Sequence, residues 1–198
     1  MTALPHPAGL PAGLYEQYRR VRARSTALAA GLSAEDCTVQ SMPDASPVKW
    51  HLAHTTWFFE TMILACLPGY RVFDERFAYL FNSYYEGLGP RHPRPRRGML
   101  TRPSLDTVMA YRAHVDAAME KAIAADSDAL QDFLLLGLHH EEQHQELILT
   151  DIKHAFCANP LLPAYASETP VAAKPAELTW RAHPGGLVEV GQRSDHFA

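Results

Sequence analysis

The sequence predicts an all-α fold, a four-helix bundle, because four stretches carry helical periodicity and strand-like alternation is confined to the last part of the chain. The four helices are predicted at residues 11–30, 46–67, 105–125 and 129–158. Within each stretch, apolar side chains recur every three or four residues, which places them on one helical face. Four such helices joined by loops are typical of a bundle.

Residues at the helix ends support these boundaries. Ser46, Ser104 and Ser127 each precede a periodic stretch, and each is predicted to cap a helix N-terminus. Pro47 suits the first helical position. Gly31 is predicted to end the first helix.

The composition changes after the fourth helix and predicts three regions. Residues 10–158 form the predicted bundle, and the Pro-, Ala- and Ser-rich residues 159–178 form a predicted linker. Residues 179–198 begin a predicted second domain, with an apolar alternation at residues 185–190 that predicts its first strand. A lone strand forms no stable sheet, so the rest of this domain is expected beyond residue 198.

Charge and cysteine content narrow the functional class. The 198 residues carry a formal net charge of −4, which argues against a nucleic-acid partner. Three cysteines without a C-x-x-C pair argue against a disulfide framework, so a cytoplasmic location is expected. The chain has no run of about 18 apolar residues, and no membrane association is expected.

Three of the eleven histidines are predicted to face the core together. His140 and His144 lie four residues apart on the apolar face of the last helix. His54 lies among Trp50, Trp57 and Phe58 in the second helix, whereas His51 points roughly 60° away, given about 3.6 residues per turn. One metal ion would satisfy all three buried rings, and the alternative is three unrelated core histidines with separate partners. Spacing alone leaves zinc, iron and nickel open.

Three residues near these histidines, Glu141, Asp151 and Gly137, also allow predictions. Residues 140–144 match the zinc-protease pattern H-E-x-x-H, with Glu141 as its general base. However, no H-x-x-G-x-x-H extension follows, and Glu168, the nearest downstream carboxylate with plausible spacing, lies in the predicted linker. Asp151 shares the histidine face and either supports a ligand from behind or is simply exposed. Gly137, one turn before His140, predicts a close approach of another element.

The loop at residues 89–97 is basic and contains three prolines, so no regular helix is expected there. Its arginines suit a carboxylate-bearing small molecule or another domain, because guanidinium groups bind carboxylates through two hydrogen bonds. The alternative is a solvated basic loop.

Four motifs together resemble the sulfoxide synthases of ergothioneine biosynthesis. They are WHLAHTTWFFE at residues 50–60, FNSYYE at 81–86, GPRHPRPRR at 89–97 and HHEEQHQE at 139–146. The resemblance covers roughly residues 12–198. It implies a DinB-like four-helix bundle followed by a domain like the formylglycine-generating (sulfatase-modifying) enzymes, which is truncated here.

The resemblance also implies a chemistry and a set of site residues. In that family three histidines hold a mononuclear Fe(II), and the matching residues here are His54, His140 and His144. The family uses O2 to join a cysteine thiol, from γ-glutamylcysteine or cysteine, to hercynine. Gln143 matches the residue that contacts hercynine, and Arg91 or Arg94 matches an arginine that binds the thiol substrate's carboxylate.

Two further expectations follow from the resemblance. The family's catalytic tyrosine is expected beyond residue 198, so this chain alone is expected to be inactive without the missing C-terminal domain. Two other functions remain open, a zinc-dependent DinB-like thiol transferase or hydrolase and a non-catalytic metal-binding bundle.

Overall fold

The structure is a computed structural model that describes residues 13–83, 87, 89–125, 128–166 and 176–191. The chain divides into two compact units, residues 1–167 and 168–198. The described residues of the second unit, 176–191, have no regular secondary structure, so the strand predicted at residues 185–190 is not confirmed. An isolated strand has no partner to accept and donate its backbone hydrogen bonds.

The described part of the first unit is helical and contains no strand, which confirms the all-α prediction for these residues. Its α-helices are α1 (Leu14–Ala29), α2 (Val48–Met62), α3 (Phe77–Phe81), α4 (Leu105–Ala124) and α5 (Asp128–Ala158). Short 3-10 helices occupy Asp36–Thr38, Leu64–Cys66 and Arg94–Met99. No helix within the described ranges is both long and apolar enough to cross a membrane.

One predicted helix cap is confirmed and one is wrong. The Ser104 hydroxyl accepts a hydrogen bond from the Thr107 amide at 3.2 Å and caps α4 as expected. Ser46 does not cap α2, which begins at Val48 after Pro47. Its hydroxyl instead accepts a hydrogen bond from Arg97, a long-range contact that local sequence does not reveal. Ser127 lies outside the described residues.

Helix α2 is the centre of the first unit. Thirteen of its fifteen residues are buried, and the helix packs against α3, α4 and α5. A helix that is buried on every side belongs to the core and lacks a solvent-facing stripe. The side chains of α2 therefore contact several neighbouring helices. The sequence predicted only one buried face for α2, whereas almost the whole helix is buried.

The approach of α2 to α5 depends on Gly137. A Cβ atom at this position would lie 2.5 Å from Cε1 of Phe59 and 3.0 Å from Cε1 of Phe58, closer than carbon atoms pack. The predicted close approach is confirmed. It brings the two helices that carry the inward histidines together.

Candidate metal centre

Three histidines from two helices meet at one place. His54 comes from α2, and His140 and His144 come from successive turns of α5. Each offers a ring nitrogen, and these atoms all lie within 4.8 Å of one another. The group could therefore hold one metal ion, as the sequence predicted for these same residues.

The ring nitrogens of His54 have different surroundings. Its Nδ1 lies 2.6 Å from the backbone oxygen of Phe81, an acceptor, so Nδ1 carries the proton and donates it. The lone pair of His54 is then on Nε2, which lies 3.1 Å from Nε2 of His140. The Nδ1 atom of His140 is buried and has no hydrogen-bond partner among the described residues.

Burial keeps these rings neutral. It lowers the pKa of His140 to about 4, and it lowers the pKa of His54 and His144 well below the ordinary histidine value. Neutral imidazole is the form that binds metals. Three neutral nitrogen donors around one point fit a divalent transition metal such as zinc or iron, and they do not distinguish between these metals.

Two indole rings hold His54 in place. The ring of Trp50 stacks on it with centroids 4.6 Å apart and an angle of 14° between the planes. The ring of Trp57 stacks with centroids 5.6 Å apart and an angle of 15°. The aromatic surroundings expected from the sequence are therefore present, and they restrict rotation of the imidazole.

A fourth histidine, His51, contacts His144 of this group. Its Nδ1 is 2.8 Å from Nδ1 of His144, and its Nε2 is 3.0 Å from Oδ2 of Asp151. His51 is 2% exposed, although the sequence interpretation placed it away from the central face. Because α2 is buried all round, a residue that points away from the other histidine still points into the core.

Asp151 is buried and contacts His51, so the alternative in which it is simply exposed is wrong. Burial alone would raise the pKa of Asp151, but hydrogen bonds from His51 and from the Ser46 amide lower it below its ordinary value. The carboxyl group is therefore an anion that accepts both hydrogen bonds.

The three histidines and His51 line a pocket of about 340 Å³. Its walls also include Trp50, Arg94, Arg97, Gln143 and Leu147. Gln143 and Arg94 were predicted to bind substrate, and the structure places both at the pocket. Arg91 is not among the residues that line it and instead donates a hydrogen bond to the Ser83 backbone oxygen.

Arg97 is a pocket residue that the sequence interpretation missed. Its guanidinium carbon lies 3.3 Å from the ring centroid of Trp50. It donates to the hydroxyls of Ser46 at 2.9 Å and Ser83 at 3.1 Å. No periodicity marks one arginine above another in a proline-rich loop, so the sequence carried no signal for this choice.

The basic loop is more regular than expected, because residues Arg94–Met99 form a 3-10 helix. A proline lies within its first two positions, where a missing amide hydrogen costs no internal hydrogen bond. The 3-10 helix directs Arg97 inward, where 4% of the residue is exposed. Arg94, at the other end of the first turn, donates to the Asp44 backbone oxygen.

Glu141 points away from the pocket. Its oxygens accept hydrogen bonds from Arg22 at 2.8 Å and from Arg112 at 2.9 Å, and none of the residue is exposed. Burial would raise the pKa of Glu141, but the two guanidinium charges outweigh it and lower the pKa to about 2. A carboxylate held in this way cannot reach a substrate, so the zinc-protease interpretation loses its general base.

A comparison with known protein families matches residues 17–148 to the family described as the DinB superfamily. The match covers about two thirds of the chain. The chain belongs to the DinB superfamily. His54, His140 and His144 of this DinB-superfamily protein all lie within the matched residues. A search of curated proteins found no match.

Proposed function

We propose that this DinB-superfamily chain is the metal-binding part of a non-haem iron, O2-dependent sulfoxide synthase that joins a cysteine thiol to hercynine. One observation carries the proposal. Three neutral histidine nitrogens converge at a pocket that also contains Arg94, Arg97 and Gln143. These residues fall in the motifs that resemble the ergothioneine-biosynthesis enzymes.

The donor set supports a reactive metal more than a structural one. Structural zinc sites are usually closed by four protein ligands, whereas three leave positions for exogenous molecules. Iron(II) bound by three histidines would supply the dioxygen chemistry that sulfoxide formation requires. The described residues offer no fourth His, Cys, Asp or Glu ligand within this group.

The pocket's polar residues suit the proposed substrates. The thiol substrate carries at least one carboxylate, and among the described residues Arg94 and Arg97 are cations that line the pocket. Arg97 is held by Trp50, Ser46 and Ser83, so it is oriented before any ligand arrives. Gln143 has an exposed side chain at the same pocket and offers both a donor and an acceptor to hercynine.

The decisive experiment uses the gene product that contains this chain. The protein is loaded with Fe(II) without oxygen, mixed with hercynine and γ-glutamylcysteine, and then exposed to O2. Mass spectrometry is expected to detect the sulfoxide that joins the two substrates. An iron-loaded protein that binds both substrates but forms no sulfoxide would overturn the proposal.

A zinc-dependent thiol transferase or hydrolase is the second candidate. Family membership and a three-histidine site suit zinc as well as iron. Elemental analysis after anaerobic purification separates the two candidates, because zinc at one equivalent with no iron favours the transferase. A chain that binds metal but catalyses neither reaction would be a non-catalytic metal-binding bundle, and a chain that retains no metal under any loading condition would overturn both candidates.

A further inference from the structure

We propose that His51 and Asp151 form a positioning relay that fixes the tautomer of His144 and directs its Nε2 atom to the metal. This inference rests on the proposed metal site. In this scheme His51 and Asp151 act on the metal through His144.

The relay is a chain of two short contacts. His51 Nδ1 lies 2.8 Å from His144 Nδ1, and His51 Nε2 lies 3.0 Å from Asp151 Oδ2. The three residues come from both helices of the metal site, since His51 lies on α2 while His144 and Asp151 lie two turns apart on α5. All three are buried.

The positions of the protons among Asp151, His51 and His144 determine which atom donates each of these hydrogen bonds. An ionised carboxylate only accepts, so the proton between Asp151 and His51 belongs to His51 Nε2. A neutral His51 then has a bare Nδ1, which must accept the hydrogen bond it shares with His144. His144 therefore donates from Nδ1, and its lone pair is on Nε2.

The position of Asp151 is itself fixed. The same oxygen, Oδ2, accepts a hydrogen bond from the Ser46 amide at 2.8 Å, just before α2 begins. The relay therefore runs from the Ser46 backbone amide through Asp151 and His51 to the proposed ligand His144. A carboxylate behind a ligating histidine orients the ring and raises its basicity, and its loss typically weakens metal binding about 10- to 100-fold.

The other two proposed ligands are held differently. His54 is fixed by the backbone oxygen of Phe81, and Nδ1 of His140 has no partner among the described residues. Among the described residues, His144 is thus the one of the three whose Nδ1 atom contacts an ionisable side chain. Substitutions in the relay should act on metal affinity through this residue.

The alternative is that His51 only fills space in the core and does not influence His144. Two variants of His51 separate the alternatives, because each alternative predicts the opposite order of metal affinity for them. His51→Phe keeps the ring volume and removes both nitrogens. His51→Asn loses volume but keeps an amide near the position of Nδ1 that can accept from His144. If His51 only packs in the core, the Phe variant should bind metal more tightly than the Asn variant. If His51 positions His144, the Asn variant should bind metal more tightly.

The experiment measures Co(II) binding to the full chain by competition with a chromophoric chelator and by the visible spectrum of the bound ion. We expect His51→Phe to raise the Kd about 10- to 100-fold and to alter the Co(II) spectrum. His51→Asn should retain more of the affinity. His154→Phe is the matched control, because His154 lies on α5 but is exposed and bonds Ser41.

Each outcome decides the inference. A wild-type Kd in His51→Phe, or a higher affinity for the Phe variant than for the Asn variant, overturns the relay and leaves the proposed function standing. A wild-type chain that binds no Co(II), Fe(II) or Zn(II) overturns both. If circular dichroism shows that His51→Phe does not fold, Asp151→Leu replaces it, and an unchanged Kd in that variant overturns the relay.

Discussion

Glu141, which has no exposed surface, accepts a hydrogen bond from buried Arg112 across 2.9 Å. Arg22 binds the second carboxylate oxygen and also reaches Asp116 at 2.7 Å. Arg112 also donates a hydrogen bond to the backbone oxygen of Leu52 in α2. The network therefore joins α1, α2, α4 and α5 through one buried anion.

Replacing Glu141 with Gln should destabilise the protein without direct effect on the pocket. Two buried guanidinium groups would lose their shared anion, and breaking a buried ion pair costs about 3–5 kcal/mol. The free energy of unfolding is measured by urea denaturation. Glu142→Gln is the matched control, because Glu142 is half-exposed and its pair with His139 contributes little. A stable Glu141→Gln protein that lost a hydrolytic activity would revive the protease interpretation.

Substituting any of the three proposed ligands should abolish stoichiometric metal binding. His54→Ala, His140→Ala and His144→Ala each remove one of three nitrogen donors. Elemental analysis after anaerobic loading measures the metal content per chain. Wild-type metal content in His54→Ala would remove that residue from the site. His114→Ala is the control, because it removes an exposed histidine elsewhere in the chain.

Gly137→Ala should push α2 and α5 apart. The new methyl group would lie 2.5 Å from a ring atom of Phe59, and overpacking of this kind typically costs about 1–3 kcal/mol. Because His54 and His140 lie on these two helices, metal affinity should fall as well. Gly31→Ala is the control, since a Cβ there meets nothing within 4 Å. Equal stability of both variants would show that the helices move apart freely.

Arg94→Ala should raise the KM for the thiol substrate in the active gene product while leaving kcat nearly unchanged, the pattern of lost uniform binding. A hydrogen bond to a charged group contributes about 1.5–3 kcal/mol, so a change of about tenfold or more is expected. Arg91→Ala should have a smaller effect, because Arg91 does not line the pocket. Steady-state kinetics with hercynine saturating measure both values. A larger effect at Arg91 would place the carboxylate site elsewhere in the loop.

Two of the three thiols should react in the folded chain. Cys66 and Cys157 are exposed, whereas Cys37 is buried. Burial raises the pKa of Cys37 to about 11, so little thiolate forms near neutral pH. Titration with a thiol reagent should count two groups before unfolding and three afterwards. Three fast-reacting groups in the folded protein would contradict the packing around the 3-10 helix Asp36–Thr38.

The sequence was sufficient for features that depend on local patterns. The spacing of His140 and His144 on one helical face required only the helical period. Ser104 was identified as a cap because its partner lies three residues away. Gly137 was informative for a similar reason, because a glycine inside a helix marks a contact that no side chain allows.

Long-range partners account for the features that the sequence did not predict. Ser46 looked like a cap, but its hydroxyl is taken by Arg97 from 51 residues away. Glu141 stood in a protease pattern, yet its role is set by Arg22 and Arg112 from other helices. The position of His51 depended on the burial of α2 on all sides, which a single amphipathic pattern does not encode.

The candidate metal site joins two positions, His54 and His140, that are 86 residues apart in the chain. A metal ion held there would cross-link α2 and α5, so occupancy and folding would be linked by mass action. Free metal at a hundredfold excess over its Kd would add about 2.7 kcal/mol to the apparent stability of the folded state. The amount of folded protein in a cell would then follow the supply of metal, and chelation would increase the unfolded fraction that proteases can cleave.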